Sequence, residues 1–181
     1  MFNKPKGVVV TRSDELSRKT VYDLLPEFVF KDGWMPVGRL DMDSKGIILF
    51  TRDGHISESL TRPGTCTKVY ELWVRGMVTE AHCRQVLDGI ESQFGRLKVA
   101  SIKLLGGSGP KTRIMVELNE GKNRHLRRLF GALKDPKFQT PLKVLELKRI
   151  QIGCIKLDVS SACWRFLTAK EEKSLLQCAK L

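Results

Sequence analysis

The chain has 181 residues, enough for one compact domain that buries its own hydrophobic core. With 41% hydrophobic and 29% charged residues, the composition excludes global disorder, a collagen-like chain and a disulfide scaffold. Lysine and arginine outnumber aspartate and glutamate by 32 to 20, which gives a net charge of +12. This charge is typical of nucleic-acid-binding domains. A role at a membrane surface, or a surface that only aids solubility, is the alternative.

The sequence has no feature of a secreted or membrane-spanning protein. Met1 leads almost at once into Lys4-Pro5-Lys6 with no apolar stretch behind it, so we expect no signal peptide. The apolar runs are too short to cross a bilayer. The five cysteines have neither metal-binding nor disulfide-framework spacing, which favours a reducing compartment. We therefore expect a cytoplasmic protein that holds no metal.

The first third of the chain predicts short elements separated by turns. In chain order, we predict a bent or edge strand over 1–10, a short helix over 20–25, a turn at Asp32-Gly33, an apolar strand over 47–51, a turn at Asp53-Gly54 and one or two helical turns over 55–61. Pro5 and Gly7 interrupt the first strand, and Pro26 ends the first helix.

The rest of the chain predicts longer strands and three helices. We predict strands over 68–75, 97–105, 112–118, 142–149 and 151–159, and helices over 79–87, over 123–133 and after Thr168 to about Cys178. Thr79 and Thr168 are helix caps, and Thr168-x-x-Glu171 is a capping box. Because strands outnumber helices and the connections suit antiparallel pairing, we predict an α+β fold with a mainly antiparallel, mixed sheet flanked by helices.

Residues 38–46 form a polar segment bracketed by glycines directly before an apolar strand. Loops held by rigid strands often carry functional residues. Asp41 in this segment is a candidate nucleophile or general base. Asp41 and the following Asp43-Ser44 equally suit an Asx turn with no chemical role, and both interpretations stay open.

Two further clusters are candidates for binding. In Lys68-Val69-Tyr70, the tyrosine ring is suited either to stacking on a base or to filling a half-buried core position. Residues 120–128 place four cations within seven residues at a helix start, where the helix dipole disfavours positive charge. Such a placement favours binding of an anion, RNA phosphate or a protein carboxylate, although a solvated basic face is the simpler alternative.

The ordered set of these motifs resembles the pseudouridine synthases, and within them the ribosomal RNA branch known as the RsuA/RluB/E/F type. The resemblance rests on Gly38-Arg39-Leu40-Asp41 running into Ile47-Ile48-Leu49-Phe50-Thr51-Arg52-Asp53-Gly54, on Asn3-Lys4-Pro5-Lys6-Gly7, Lys68-x-Tyr70, Glu120-Gly121-Lys122-Asn123-Arg124, Arg127-Arg128, Leu147-Lys148-Arg149-x-x-Ile152-Gly153 and Trp164-Arg165-x-Leu167-Thr168. These motifs cover nearly the whole chain.

The resemblance implies an enzyme that isomerises uridine to pseudouridine in ribosomal RNA, with large-subunit 23S rRNA the preferred substrate, and that uses no cofactor or metal. It implies that Asp41 is catalytic, that Tyr70 stacks on the base and that Arg127 pairs with the aspartate. Leu147 would be the apolar residue under the uracil. We assign substrate binding to Arg39, Lys68, Lys122, Arg124, His125 and Arg128 as well.

The implied architecture is a single catalytic domain over residues 1–181 with two sub-lobes around a central RNA-binding cleft. We expect a monomer that needs no protein partner and contacts no membrane. Many members of this branch carry an N-terminal RNA-binding domain of the S4 type. This chain begins directly at the catalytic domain, so we expect that module to be either absent or removed, and the RNA contacts to come from the catalytic domain.

Two local departures from the family pattern leave questions open. His125 stands where a glutamine is common, so it either replaces the hydrogen bonds of that glutamine or adds a titratable group near Arg127. The segment between Phe130 and Leu142 is longer than usual, and it is either a surface loop or an RNA contact that alters the choice of target.

Two rival functions fit the same sequence. A non-catalytic RNA-binding or ribosome-assembly factor on this fold would bind RNA without chemistry, although Asp41, Tyr70 and Arg127 are all present. An N-glycosyl hydrolase would release free uracil, which an isomerase must retain.

Overall fold

A computed structural model describes residues 1–93 and 95–178 of the chain. These residues form five α-helices and a mixed, mostly antiparallel set of strands, which confirms the predicted α+β class. In chain order the elements are β1 (Phe2–Lys4), α1 (Glu27–Lys31), β2 (Met35–Pro36), β3 (Lys45–Ile48), β4 (Phe50–Thr51), α2 (Gly54–Thr61), β5 (Lys68–Arg75), α3 (Glu80–Asp88), β6 (Ser101–Ser108), β7 (Lys111–Leu118), α4 (His125–Gly131), β8 (Lys143–Ile152), β9 (Ile155–Lys156) and α5 (Ala169–Cys178).

The chain divides into two compact units. The first consists of Met1–Lys68 and Lys148–Leu181, and the second of Val69–Leu147. The second unit is therefore inserted into the sequence of the first. Among the described residues, no helix is both long and apolar enough to span a bilayer.

The first unit is built on β1, β3, β8 and β9. β1 pairs antiparallel with β3, β3 pairs parallel with β8, and β9 folds back antiparallel on β8. β2 and β4 form a separate antiparallel pair. One buried hydrophobic cluster lies in this unit and includes Met1, Val37, Ile47, Leu49, Leu60, Cys66, Ile152, Ile155 and Leu175.

β3 and β8 approach unusually closely at Gly46. A Cβ atom at this position would lie 2.1 Å from the carbonyl oxygen of Arg149, and the φ angle of Gly46 is +117°. Both the contact and the backbone conformation exclude a side chain. Gly46 therefore allows β3 to pair with β8 directly after the segment that carries Asp41.

The second unit contains the long β6–β7 hairpin and two helices. In this unit β5 neighbours β7, which in turn pairs antiparallel with β6. Ile114, Val116 and Leu118 on β7 are buried, as the predicted alternation requires. Thr79 caps α3 through a reciprocal capping box with His82, and α3 packs on β6.

Several element boundaries differ from the predictions. The first strand ends at Lys4, because Gly7 turns the chain with a φ of +84° and donates its N–H to the carbonyl of Met42. The predicted helix over 20–25 is a 3-10 turn over Tyr22–Leu24. The structure contains a helix that was not predicted, α1, which begins directly after Pro26. A proline at a helix start loses no backbone hydrogen bond, because the first N–H groups of a helix have no partner within it.

Other differences follow from residues that suit both turns and helix caps. Asp53 is the N-cap of α2 and accepts hydrogen bonds from the N–H groups of His55 and Ile56, so the predicted turn is a helix start.

β8 runs without a break through the point where two strands were predicted, and the chain turns at Gly153 instead. The capping box of Thr168 and Glu171 at α5 is confirmed.

Candidate active site

Residues 38–46 of the first unit form a loop with two buried anchors. Leu40 and Ser44 are buried, Asp41 between them is half-buried, and Arg39 is exposed. The carbonyl of Asp41 accepts a hydrogen bond of 3.0 Å from the N–H of Ser44, which closes a tight turn. The loop therefore presents Asp41 from a supported backbone.

Lys4 lies beneath this loop, although it received no role from the sequence. Its side chain is fully buried, and its ammonium group donates to the carbonyls of Ser44 (2.7 Å), Met42 (3.3 Å) and Pro5 (2.9 Å). One side chain thus ties the first strand to the backbone on the far side of Asp41. We regard Lys4 as a positioning residue for the loop.

Lys4 also places a cation next to the carboxylates of the loop. Burial lowers the pKa of Lys4 to about 8, and the charges of Asp43 and Asp41 oppose this shift. Because the shifted pKa stays above 7, the ammonium is mostly charged at neutral pH. The carboxylates of this loop thus lie next to a buried positive charge.

Two further cations of the first unit, Arg149 and Lys68, are buried. The Nε of Arg149 donates to the carbonyl of Ile47 (2.8 Å) and so supports β3. Lys68 is also buried, and its ammonium donates to the carbonyls of Cys66 (2.9 Å) and Leu60 (3.2 Å). Burial lowers the pKa of Lys68. The observed contacts of Lys68 are structural, so its assignment to substrate binding stays a prediction with no direct support from this geometry.

The second unit carries the tyrosine and the arginine of the predicted site. Tyr70 lies on β5 and is 7% exposed. Arg127 lies on α4, and its Nη1 donates to the carbonyl of Val144 on β8 (2.9 Å). This bond fixes the guanidinium at one end. Leu147, the predicted apolar residue under the base, is buried on β8.

The cation-rich segment begins before α4 rather than within it. The helix starts at His125 instead of the predicted 123, so Lys122 and Arg124 precede it. Arg124 has a left-handed φ of +49°, which is uncommon for a residue with a side chain. These two cations thus lie just before the helix, next to the positive end of its dipole, which does not stabilise their charge.

The basic side chains of this segment have different surroundings. Lys122 donates to the carbonyl of Arg96 (2.8 Å) and pairs with Glu120 (3.2 Å). Arg128 donates to the side-chain oxygen of Asn123 (3.0 Å). Arg124 is exposed and well placed to reach a phosphate from solvent.

His125 is buried at the first turn of α4. Its Nδ1 lies 3.8 Å from the Glu120 carboxylate, and burial lowers the pKa of His125 despite that charge. The ring is therefore neutral at neutral pH. Its assignment to substrate binding stays a prediction, since the ring is enclosed by protein.

The predicted residues are distributed over both units of the chain. Arg39, Asp41 and Lys68 belong to the first unit, whereas Tyr70, Lys122, Arg124, His125, Arg127, Arg128 and Leu147 belong to the second. The supporting residues that sequence reasoning missed are Lys4, Gly46 and Arg149. Each lies in one of the quoted motifs, but motif spacing does not show which lysine or arginine is buried. Among the described residues, no group of three or more potential metal ligands is clustered.

Comparison with known proteins defines the class of this fold and site. Residues 1–132, which include Asp41, Tyr70 and Arg127, match the family model of RNA pseudouridylate synthase. The structure is similar to a crystal structure of a pseudouridylate synthase, with a TM-score of 0.78 and 28% identity over 96% of this chain and 71% of that one. The chain belongs to the pseudouridine synthase family.

Curated relatives of this chain include enzymes of ribosomal RNA. The ribosomal large subunit pseudouridine synthase B of Vibrio vulnificus is 33% identical over 99% of this chain and 55% of that protein. The enzyme of the same name from Pseudomonas aeruginosa is 36% identical over 92% of this chain and 42% of that protein. The chain thus spans about half the length of the curated relatives that it matches.

Proposed function

We propose that this protein isomerises a uridine of large-subunit (23S) ribosomal RNA to pseudouridine. The observation that carries the proposal is the family match across the Asp41 loop, whose backbone the buried Lys4 holds in place. The names of the relatives support ribosomal RNA as the substrate. We further propose that the protein acts as a monomer in the cytoplasm.

The proposed reaction moves one bond within a nucleotide. The N-glycosidic bond from C1′ to N1 breaks, the uracil turns, and a new bond joins C1′ to C5. The proton on C5 passes to water, and N1 takes up a proton in exchange. Asp41 either attacks C1′ or removes the 2′ proton, and both routes require an ionised carboxylate. Atoms and electrons balance without an oxidant, reductant or cofactor.

The remaining roles follow from the resemblance and are part of the proposal. Tyr70 stacks on the target base, with Leu147 as its apolar support, and Arg127 pairs with the Asp41 carboxylate. Because an enzyme cannot reach a stacked base, the uridine must first be flipped out of its helix. Exposed cations such as Arg39 and Arg124 supply phosphate contacts.

Release of tritium from rRNA labelled at C5 of uridine tests the activity directly. We expect wild-type protein to release tritium from the large-subunit transcript, because forming the C5–C1′ bond expels that hydrogen. Asp41→Asn should abolish release while leaving folding and RNA affinity unchanged. A small-subunit transcript serves as the matched substrate control.

The other possible results of the tritium-release assay each favour a different conclusion. Tight RNA binding without release by wild-type protein would favour a non-catalytic assembly factor. Free uracil in the supernatant would indicate an N-glycosyl hydrolase. Appreciable pseudouridine from Asp41→Asn would contradict the assignment of Asp41.

A further inference from the structure

The second unit contains a cavity of about 680 Å³ that is lined by none of the proposed reaction residues. Its walls are residues 75–78 at the end of β5, the turn of the β6–β7 hairpin, and the segment 135–140. The volume lies in the range of pockets that hold small ligands. The third wall belongs to the unusually long segment between Phe130 and Leu142.

Asp135 holds two of these walls together. Its buried carboxylate accepts hydrogen bonds from the backbone N–H groups of Met77 (2.8 Å), Lys137 (2.9 Å) and Phe138 (2.9 Å). These bonds lower the pKa of Asp135 and favour its ionised form, and they occupy the carboxylate oxygens with backbone donors. The segment is therefore an ordered wall.

The hairpin wall is tied to the end of β5 in a similar way. The hydroxyl of Thr112 accepts from the N–H of Val78 (3.1 Å) and donates to the carbonyl of Gly76 (2.8 Å). The N–H of Gly76 in turn donates to the carbonyl of Pro110 (2.8 Å). The cavity is thus largely formed before any ligand arrives.

The lining combines exposed apolar side chains with cations. Phe138 is 64% exposed and Met77 is 57% exposed, so two large apolar groups face solvent at one cavity. The ammonium of Lys137 lies 5.3 Å from the centre of the Phe138 ring. Lys111 and Arg75 are exposed nearby, and the acidic side chain in the described lining is Asp135, whose carboxylate is buried and bonded to backbone N–H groups.

We infer that this cavity is an accessory RNA subsite that binds an unpaired nucleotide of the substrate, apart from the uridine that reacts. The base stacks on Phe138 beside Met77, and Lys111 and Lys137 contact the adjoining phosphates. An exposed aromatic ring flanked by cations suits a base joined to phosphates, and the chain's net charge of +12 favours a polyanion over a neutral peptide. This inference rests on the proposed function, because it makes the segment 135–140 a determinant of RNA target choice.

Substitution of the ring tests the stacking contact. We expect Phe138→Ala to weaken binding of fluorescein-labelled decauridylate at least fivefold in a fluorescence anisotropy titration. Phe138→Trp should retain affinity within twofold, because a larger ring still stacks. Phe166→Ala is the matched control, since Phe166 is also an exposed phenylalanine (58%) but lies in the first unit.

A second variant tests the phosphate contacts independently. The double variant Lys111→Ala/Lys137→Ala should lower the slope of log affinity against log salt by about 1.4, as expected for two lost contacts to single-stranded phosphates. Because both lysines are exposed, neither change threatens the fold, and equal melting temperatures would verify this point. An unchanged salt slope would overturn the phosphate contacts.

The outcomes separate this inference from the proposed activity. Tritium release by wild type together with unchanged RNA affinity in Phe138→Ala overturns the subsite and leaves the activity standing. A cavity that binds protein instead of RNA would give this same unchanged affinity. Affinity that depends on Phe138 without tritium release supports the subsite and overturns the activity.

Discussion

Lys4 illustrates how one buried charge supports the backbone of the Asp41 loop. Lysine is rarely buried without a partner, and here the partners are three backbone carbonyls rather than a single carboxylate. Removing the ammonium leaves those carbonyls without their donor in a dry site. The local cost of such unpaired groups is about 1–3 kcal/mol.

Lys4→Met should therefore destabilise the protein by about 1–3 kcal/mol at pH 7, and the difference from wild type should grow with pH. The folded-state pKa is about 8 and the ordinary value is 10.5, so between these values the unfolded chain binds more protons. Stability from this group thus rises as pH increases from 8 to 10.5, by at most about 1.4 kcal/mol per pH unit. Denaturant unfolding of both proteins between pH 7 and 10.5 measures the difference.

The variant itself is the control for this experiment, because every other titrating group is shared with wild type. Stability curves that stay parallel over the whole range would show that Lys4 keeps an ordinary pKa in the folded protein.

At the scale of secondary structure, the pairing of β3 with β8 depends on a glycine at position 46, where no side chain fits. Gly46→Ala would place a methyl group 2.1 Å from the carbonyl oxygen of Arg149, and a backbone atom there cannot move without separating the strands. We expect a loss of at least about 3 kcal/mol in unfolding free energy, from the contact and the strained φ together.

Gly7→Ala provides the matched control for Gly46→Ala. Gly7 also has a positive φ of +84°, but a Cβ atom there would meet nothing within 4 Å. Gly7→Ala should therefore lower the unfolding free energy only by the conformational strain, about 1–2 kcal/mol. Chemical denaturation of both variants measures the loss of unfolding free energy in each. Equal losses would show that the close contact between the strands at Gly46 adds nothing to the cost of Gly46→Ala.

Elements with local signals were predictable, and elements set by distant contacts were not. β5, α3 and α5 were predicted because alternation and capping residues lie within each segment. α1 was missed because Pro26 was taken only as a helix end, although proline also suits a helix start. β8 was split in two because its continuity depends on a partner strand about a hundred residues away, which no local window contains.

The same distinction applies to the candidate site. Asp41, Tyr70 and Arg127 were identified through motifs, and their roles stay predictions. Lys4 and Arg149, which support the Asp41 loop and β3, were not identified, because their burial follows from long-range packing. A sequence pattern indicates which residue types are present, whereas burial decides whether a lysine contacts RNA or holds the backbone.

At the scale of the whole molecule, the charge of +12 should make RNA binding strongly dependent on salt. We expect Arg124→Ala to reduce the slope of log affinity against log salt by about 0.7–0.9, because it removes one exposed phosphate contact. Titration of an rRNA fragment at several potassium chloride concentrations measures this slope.

Arg18→Ala is the matched control for charge removal. Arg18 is also an exposed arginine, but it lies in the first unit, outside the cation-rich segment, where its guanidinium pairs with Asp14 at 2.6 Å. Its substitution should leave the slope unchanged. A similar reduction in both variants would mean that net charge, and not the position of Arg124, sets the salt dependence.

The parallel pairing of β3 and β8 also has a consequence during synthesis of the chain. The segment with Asp41 leaves the ribosome early, but Arg149, which supports β3, emerges about a hundred residues later. Residues 69–147 are complete before that point and can condense first. The nascent chain thus carries Asp41 in an unassembled loop until translation has passed β8, so the proposed reaction could not begin on the RNA of the translating ribosome before that point.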